Sequence, residues 1–256
     1  MSLTVVKEQM RKLLLSTAAN EIDEILARQK RAVSLGWLTE LLEKELDTRR
    51  ANSVTKRIKL ARFPEVTSLE GFDWSFNEKI DRSAVEELAT LKFVDDNEIA
   101  LMLGSPGTGK THLGIAIGVI AAQRGHRVYW SSVKRLAKLI EQARARNTLD
   151  LLFKQILSSK LWILDDWGVI SMSREVSEEI FDLLDRRKHS CALLLTSNRD
   201  VEEWPRVFPD PIIANAAIDR LFERAKIVVF EGPSYRLKGR INCGQSEEID
   251  SEKTTG

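Results

Sequence analysis

Residues 104–111 read Gly-Ser-Pro-Gly-Thr-Gly-Lys-Thr and match in full the pattern of a phosphate-binding loop. The segment follows an apolar run at 99–103 and precedes a stretch of helical character, as the motif requires. Glycines let backbone N–H groups converge on phosphates, and the N-terminal end of the following helix faces the same anion. The motif predicts an α/β fold that binds a nucleoside triphosphate, with Lys110 at the outer phosphate oxygens and Thr111 ligating magnesium.

Composition excludes other classes of protein. The chain of 256 residues has a formal net charge of +1, and its two cysteines, Cys191 and Cys243, lack metal-ligand spacing. We therefore expect a reducing environment and no structural zinc. No apolar run approaches the roughly 18 residues that a membrane span needs, which predicts a soluble, cytoplasmic protein with no membrane partner.

Hydrophobic spacing and composition divide the chain into four parts. Residues 1–63 show helical spacing without a strand signal and are predicted to form a small all-helical domain that binds DNA or a partner. Residues 64–80 read as an aromatic-rich linker that packs on the next domain. Residues 81–241 are predicted to form the domain of the phosphate loop. Residues 242–256 form an acidic tail that we expect to be disordered.

Five apolar segments alternate with helical stretches after residue 81. They are residues 99–103, 127–130, 161–164, 192–196 and 227–230. Continuous apolar strands separated by helices are typical of a parallel sheet with both faces covered. The predicted fold is a five-stranded parallel sheet flanked by helices, preceded by the small all-helical domain.

Polar residues follow two of these strands at the edge where the phosphates are expected. Asp165 and Asp166 end one apolar strand, and a carboxylate there can hold the magnesium shell while its neighbour activates the attacking water. We assign Asp165 to magnesium and Asp166 to the water. Asn198 ends another strand and is predicted to hold the attacking water or the γ-phosphate.

Two arginines near the end of the chain are candidates for phosphate contacts. Arg220 precedes the last strand, and an arginine inserted into a neighbouring subunit's site stabilises the charge of the transition state. We prefer Arg220 to Arg224 for this role. Arg236 is a second candidate, for sensing the phosphate within its own subunit.

The segment 49–62 contains six basic residues and no acidic one, and we predict that it contacts DNA phosphates. On a helical projection Leu42 and Leu46 share the arc of four of these basic residues, which predicts a bend between Leu46 and Arg49. The alternative is a solvated helix face that aids solubility. The basic residues are Arg49, Arg50, Lys56, Arg57, Lys59 and Arg62.

In their order along the chain, these pieces resemble the AAA+ class, and within it the IstB-like ATPases that help insertion-sequence transposases, relatives of the DnaC and DnaI helicase loaders. The resemblance rests on Leu103–Leu113, Leu164–Gly168, Thr196–Asn198, Asp219–Leu221 and Ser234–Arg236, together with Phe63-Pro64 and Leu69–Trp74. It covers roughly residues 49–240. The nucleotide-binding set that results is Gly104, Ser105, Pro106, Gly107, Thr108, Gly109, Lys110, Thr111, His112 and Arg236.

The resemblance implies an ATPase that needs ATP and Mg²⁺, assembles into a homo-oligomer on duplex DNA and presents that DNA to an IstA-like partner transposase. Two departures qualify it. AAA+ proteins commonly have Glu where Asp166 stands, which predicts slow or partner-dependent hydrolysis. Little chain follows Phe230 for a helical lid.

Three alternative functions stay open on the residues alone. A replicative helicase loader of the DnaC or DnaI type differs in its partner. A small-molecule kinase shares the phosphate loop, but needs no arginine from a second subunit. A scaffold would bind ATP without hydrolysing it. ATPase assays with and without duplex DNA distinguish it from an ATPase.

Overall fold

A parallel sheet of five strands forms the centre of the chain, and the computed structural model describes residues 2–29 and 33–238 around it. The strand order is β2-β3-β4-β1-β5, and every neighbouring pair is parallel. The fold class predicted from sequence is therefore confirmed. The strands are β1 Ile99–Gly104, β2 Val128–Ser132, β3 Leu161–Trp167, β4 Ala192–Ser197 and β5 Ala225–Phe230.

Helices cover both faces of the sheet. One face packs against α4 Arg82–Ala89, α5 Lys92–Asp95 and α6 Lys110–Gln123. The other face packs against four helices, whose apolar faces share a second buried cluster with alternate residues of the central strands. These are α7 Val133–Ala145, α8 Leu149–Leu157, α9 Arg174–Arg186 and α10 Pro211–Phe222.

Three helices precede the sheet and enclose an apolar cluster of their own. They are α1 Leu3–Lys12, α2 Ser16–Ala27 and α3 Gly36–Ala61. Helix α3 is continuous over 26 residues, so the predicted bend between Leu46 and Arg49 is wrong. Its first half buries Leu42 in the N-terminal cluster, while Ile58 and Ala61 pack on the sheet domain. The conflict on the helical projection arises because one continuous helix packs different faces against two cores.

Two predictions concern the end of the chain, which the structure does not describe. The acidic tail at 242–256 and the predicted domain end at 241 lie outside the described residues. Within residues 2–29 and 33–238, no helix is both long and apolar enough to cross a membrane.

Candidate nucleotide-binding site

The phosphate loop connects β1 to α6, and its glycines adopt conformations that other residues rarely take. Gly107 has φ +76° and Gly109 has φ +101°. A Cβ atom at Gly107 would lie 2.0 Å from Ser234 Oγ, and one at Gly109 would lie 2.4 Å from the ring of Phe72. Both positions therefore require glycine for backbone conformation and for space. Helix α6 begins at Lys110, so its N-terminal end faces the loop.

Lys110 is held inside the loop. Its Nζ donates hydrogen bonds to the carbonyl oxygens of Gly104 at 2.8 Å and Ser105 at 2.6 Å, and the residue is only 4% exposed. Burial lowers the pKa of Lys110 to about 8, while the nearby charges of Asp166 and Asp165 oppose that shift. The ammonium is thus fixed at the centre of the cleft, beside the helix terminus that attracts anions.

Asp165 lies at the end of β3 and is joined to two other elements through hydroxyl groups. Thr111 Oγ1, on α6, donates to Asp165 Oδ1 at 2.8 Å, and Thr196 Oγ1, on β4, donates to the same oxygen at 2.6 Å. Burial raises the pKa of the Asp165 carboxyl, and the two hydroxyl donors counteract it. Two oxygen-bearing side chains predicted to serve magnesium, Thr111 and Asp165, are therefore in contact.

Asp166 is more exposed than Asp165, and its side chain contacts a different residue. Its backbone is left-handed, with φ +61°, which aspartate tolerates better than most residues. Asn198 Nδ2 donates to Asp166 Oδ1 at 3.3 Å. The two residues predicted to handle the attacking water are thus brought together, although 32 positions separate them in the chain.

A cleft of about 430 Å³ joins these groups to the segment 64–80. Phe72, Phe76 and Asn77 from that segment line the cleft together with Tyr235, which follows β5. The wall is tied in place, since the Tyr235 N–H donates to the Gly107 carbonyl at 2.9 Å. Sequence reasoning missed these four residues. Two signals were present: the density of aromatic side chains in the predicted linker, and the position of Phe72 and Tyr235 within segments that carry the family resemblance.

Most of the predicted nucleotide-binding residues line this cleft. Gly104, Ser105 and Pro106 belong to the loop but lie at its start, beside β1. Arg236 lines the cleft, and its charge contributes to the lowered pKa of Lys110. The predicted residues that line the cleft are Gly107, Thr108, Gly109, Lys110, Thr111, His112, Asp165, Asp166, Asn198 and Arg236.

Arg220 lies apart from the residues that line the cleft. It sits in the last turn of α10, where its guanidinium forms ion pairs with Asp185, with Nε 3.1 Å from Oδ1, and with Glu223. The side chain is 35% exposed. This placement gives Arg220 no contact with the nucleotide cleft of its own subunit.

The six basic residues at 49–62 differ in their surroundings. Arg57 Nε donates to the Ala122 carbonyl at 2.8 Å, at the end of α6, and Arg49 donates to the Leu13 carbonyl at 3.0 Å. Arg50 pairs with Asp47, and the guanidinium of Arg62 lies over the Tyr129 ring. Lys56 and Lys59 are exposed, with no side-chain bond to any residue that the structure describes.

A comparison with known families places this site among ATP-binding proteins. Residues 7–243 match the family described as IstB-like ATP binding protein. The insertion sequence IS21 ATP-binding protein of Pseudomonas aeruginosa is 39% identical over 208 residues, which cover 81% of this chain and 78% of that protein.

Solved structures share the fold. The crystal structure of DnaI matches 68% of this chain and 93% of its own, with a TM-score of 0.57 and 21% identity. AMPPCP-bound DnaA from Aquifex aeolicus matches 73% of this chain and 59% of its own, with a TM-score of 0.54 and 24% identity. These likenesses support a P-loop AAA+ fold. With the phosphate loop, the paired aspartates and a family match over most of its length, this chain belongs to the IstB-like ATP binding proteins.

Proposed function

We propose that this protein is a DNA-binding ATPase that assembles on duplex target DNA and recruits and activates a partner transposase. The observation that carries the proposal is the convergence on one cleft of the phosphate loop, the ends of β3 and β4, and the segment after β5. The family match and the relative from an insertion sequence support the link to transposition.

The residues of the cleft fit a magnesium ion. Thr111 and Asp165 offer hard oxygen donors 2.8 Å apart, and Mg²⁺ is usually held by one or two protein ligands with phosphates and water. When bound, Mg²⁺ neutralises charge on the phosphate oxygens.

The chain's own residues then divide the work of hydrolysis. The N–H groups of the loop and Lys110 hold the phosphates. Asp166 orients the attacking water and accepts its proton, while Asn198 fixes the Asp166 carboxylate by its hydrogen bond. Arg236, which also lines the cleft, supplies a second cation to the phosphates.

The segment 64–80 supplies the place for the nucleobase. Phe72 and Phe76 line the cleft, and an aromatic ring is a suitable surface for stacking a base. Asn77 lies on the same wall, anchored through its Nδ2 donor to the Glu231 carbonyl at 2.6 Å. The cleft thus combines charged residues for the phosphates with aromatic residues for the base.

Arg220 acts across subunits in this proposal. It lies away from its own cleft, and on assembly it exchanges its ion pairs with Asp185 and Glu223 for the γ-phosphate of a neighbouring subunit. ATP binding then stabilises the homo-oligomer, since the nucleotide is contacted from both sides of the subunit interface. The basic residues of α3 bind DNA phosphates along the assembly.

The test combines three measurements on the full chain. We expect ATP hydrolysis that rises with duplex DNA, an oligomer seen by light scattering only with ATP and DNA, and faster strand transfer by an IstA-like transposase. A monomer that phosphorylates a small molecule would identify a kinase. Stimulation of a replicative helicase, but not of the transposase, would identify a helicase loader.

A further inference from the structure

Thr196, on β4, lies where the pairing between β3 and β4 is irregular. Leu164 lies opposite Leu195, yet the next aligned pair is Trp167 with Ser197. Two residues of β3, Asp165 and Asp166, therefore face the single residue Thr196. Such an irregularity inserts one extra residue and redirects side chains, and it is frequent next to active sites.

The hydroxyl of Thr196 takes over the bonding that the strand ladder loses. The Asp166 N–H donates to Thr196 Oγ1 at 3.1 Å, where a regular ladder would offer a backbone carbonyl. The same hydroxyl donates its proton to Asp165 Oδ1 at 2.6 Å. A threonine hydroxyl has one donor and two acceptor positions, so both bonds form together.

Burial and packing hold this hydroxyl in one orientation. Thr196 is 2% exposed. Its methyl group faces α6, 3.7 Å from where a Cβ of Gly114 would lie. With the methyl group turned toward α6, the hydroxyl faces the end of β3.

We propose that Thr196 is a positioning residue for ATP hydrolysis, whose one hydroxyl orients the magnesium-side carboxylate of Asp165 and holds Asp166 in the left-handed conformation that faces Asn198. This inference rests on the proposed ATPase function. The residue itself touches neither phosphate nor water in this scheme, and acts through the two aspartates.

The test compares Thr196→Val, which keeps the shape and removes both bonds, with Thr196→Ser, which keeps the hydroxyl. Thr39→Val is the matched control, since Thr39 is 1% exposed, bonded to the Leu35 carbonyl, and lies in the N-terminal helices. Steady-state hydrolysis with duplex DNA gives kcat and KM. Binding of a fluorescent ATP analogue, in Mg²⁺ and in EDTA, gives the magnesium-dependent part of affinity without any turnover.

We expect Thr196→Val to lower kcat by about 10–100-fold, as loss of an outer partner of a metal ligand does. The gain in analogue affinity on adding Mg²⁺ should shrink by about tenfold or more, with affinity in EDTA close to that of the parent. Thr196→Ser should restore both, and Thr39→Val should change neither. Parent-like kcat and magnesium dependence in Thr196→Val would overturn the inference, as would an equal loss of affinity in EDTA.

If Thr196→Val does not fold by thermal melting, Thr196→Ser and Thr196→Ala replace it, because that pair differs only in the hydroxyl. Equal values for these two variants would also overturn the inference. A parent protein that binds the analogue but never hydrolyses ATP would contradict the proposed function instead, and the binding measurements would still test Thr196.

Discussion

The neighbouring aspartates of β3, Asp165 and Asp166, have different surroundings. Asp165 is 4% exposed and receives two hydroxyl donors, whereas Asp166 is half-buried and bonded to Asn198. Different environments separate the chemical roles of like groups. A carboxylate bonded to Thr111 suits the metal shell, and one that faces Asn198 suits the water.

Replacing Asp166 by Asn should therefore separate binding from chemistry. We expect Asp166→Asn to keep ATP affinity and to lose about 10²–10⁴-fold in kcat, because the amide cannot accept the proton of water. Fluorescent-analogue binding and phosphate release measure the two properties. Asp150→Asn, on an exposed side chain of α8, is the charge-matched control. Hydrolysis at the parent rate in Asp166→Asn would mean that another residue activates the water.

At the scale of elements, the segment 64–80 is part of the site rather than a passive connection. Phe76 packs edge-on against Tyr235, with ring centroids 4.9 Å apart, and Lys238 pairs with Asp73 at 2.7 Å. The hydrogen bond from Lys238 is the main cause that lowers the pKa of the Asp73 carboxyl to about 2. Segments before and after the sheet thus close one wall together.

Phe76→Ala should weaken ATP binding by about 1–3 kcal/mol if the ring stacks on the base. Inorganic tripolyphosphate has no base, so its affinity, measured by competition with the analogue, should be unchanged. Trp37→Ala is the control, because Trp37 is an exposed aromatic residue of α3 that lies outside the cleft. Equal losses for ATP and tripolyphosphate would show that Phe76 maintains the loop instead of contacting the base.

Helix α3 carries the predicted DNA contacts, and its bonding separates two kinds of basic residue. Arg49 and Arg57 donate to backbone carbonyls of other elements, so their removal disturbs packing as well as charge. The exposed lysines Lys56 and Lys59 are the better probes of DNA binding.

The double variant Lys56→Ala/Lys59→Ala should make the log–log slope of DNA affinity against salt shallower by up to about 1.8, since each phosphate contact contributes about 0.9. A salt titration of duplex binding with ATP measures it. Lys92→Ala/Lys154→Ala removes the same charge from exposed positions elsewhere. Identical slopes for the parent and the Lys56→Ala/Lys59→Ala variant would show that these two lysines do not contact DNA phosphates.

At the scale of the whole molecule, the position of Arg220 away from its own cleft predicts nucleotide sites that are completed by a neighbouring subunit. Arg220→Ala should lose about 10³–10⁵-fold in hydrolysis, the usual contribution of an arginine supplied to the γ-phosphate, and keep ATP affinity. Lys110→Ala should lose ATP binding, because the central cation is removed.

Mixing these two inactive variants should restore part of the hydrolysis, because an intact pocket can then meet an intact arginine. Light scattering shows whether the two proteins have assembled together. Co-assembly without recovered activity would argue against a contribution from the neighbouring subunit.

Sequence alone determined what local patterns can encode. The sequence predicts the phosphate loop and the five apolar strands because strand period, loop conformation and the helix start depend on neighbouring residues. Lys110, Thr111, Asp165, Asp166 and Asn198 were assigned to one site because the ends of parallel strands meet at one edge of a sheet.

Only the tertiary structure decided which distant groups meet. The Asn77 side chain reaches a carbonyl 154 positions away, and no local pattern records that contact. Thr196 became a bonding partner of both aspartates because the register between β3 and β4 shifts there, and pairing between strands sets that register. Helix α3 buries different faces in its two halves because these halves pack against different cores, and which face is buried depends on what it contacts after folding.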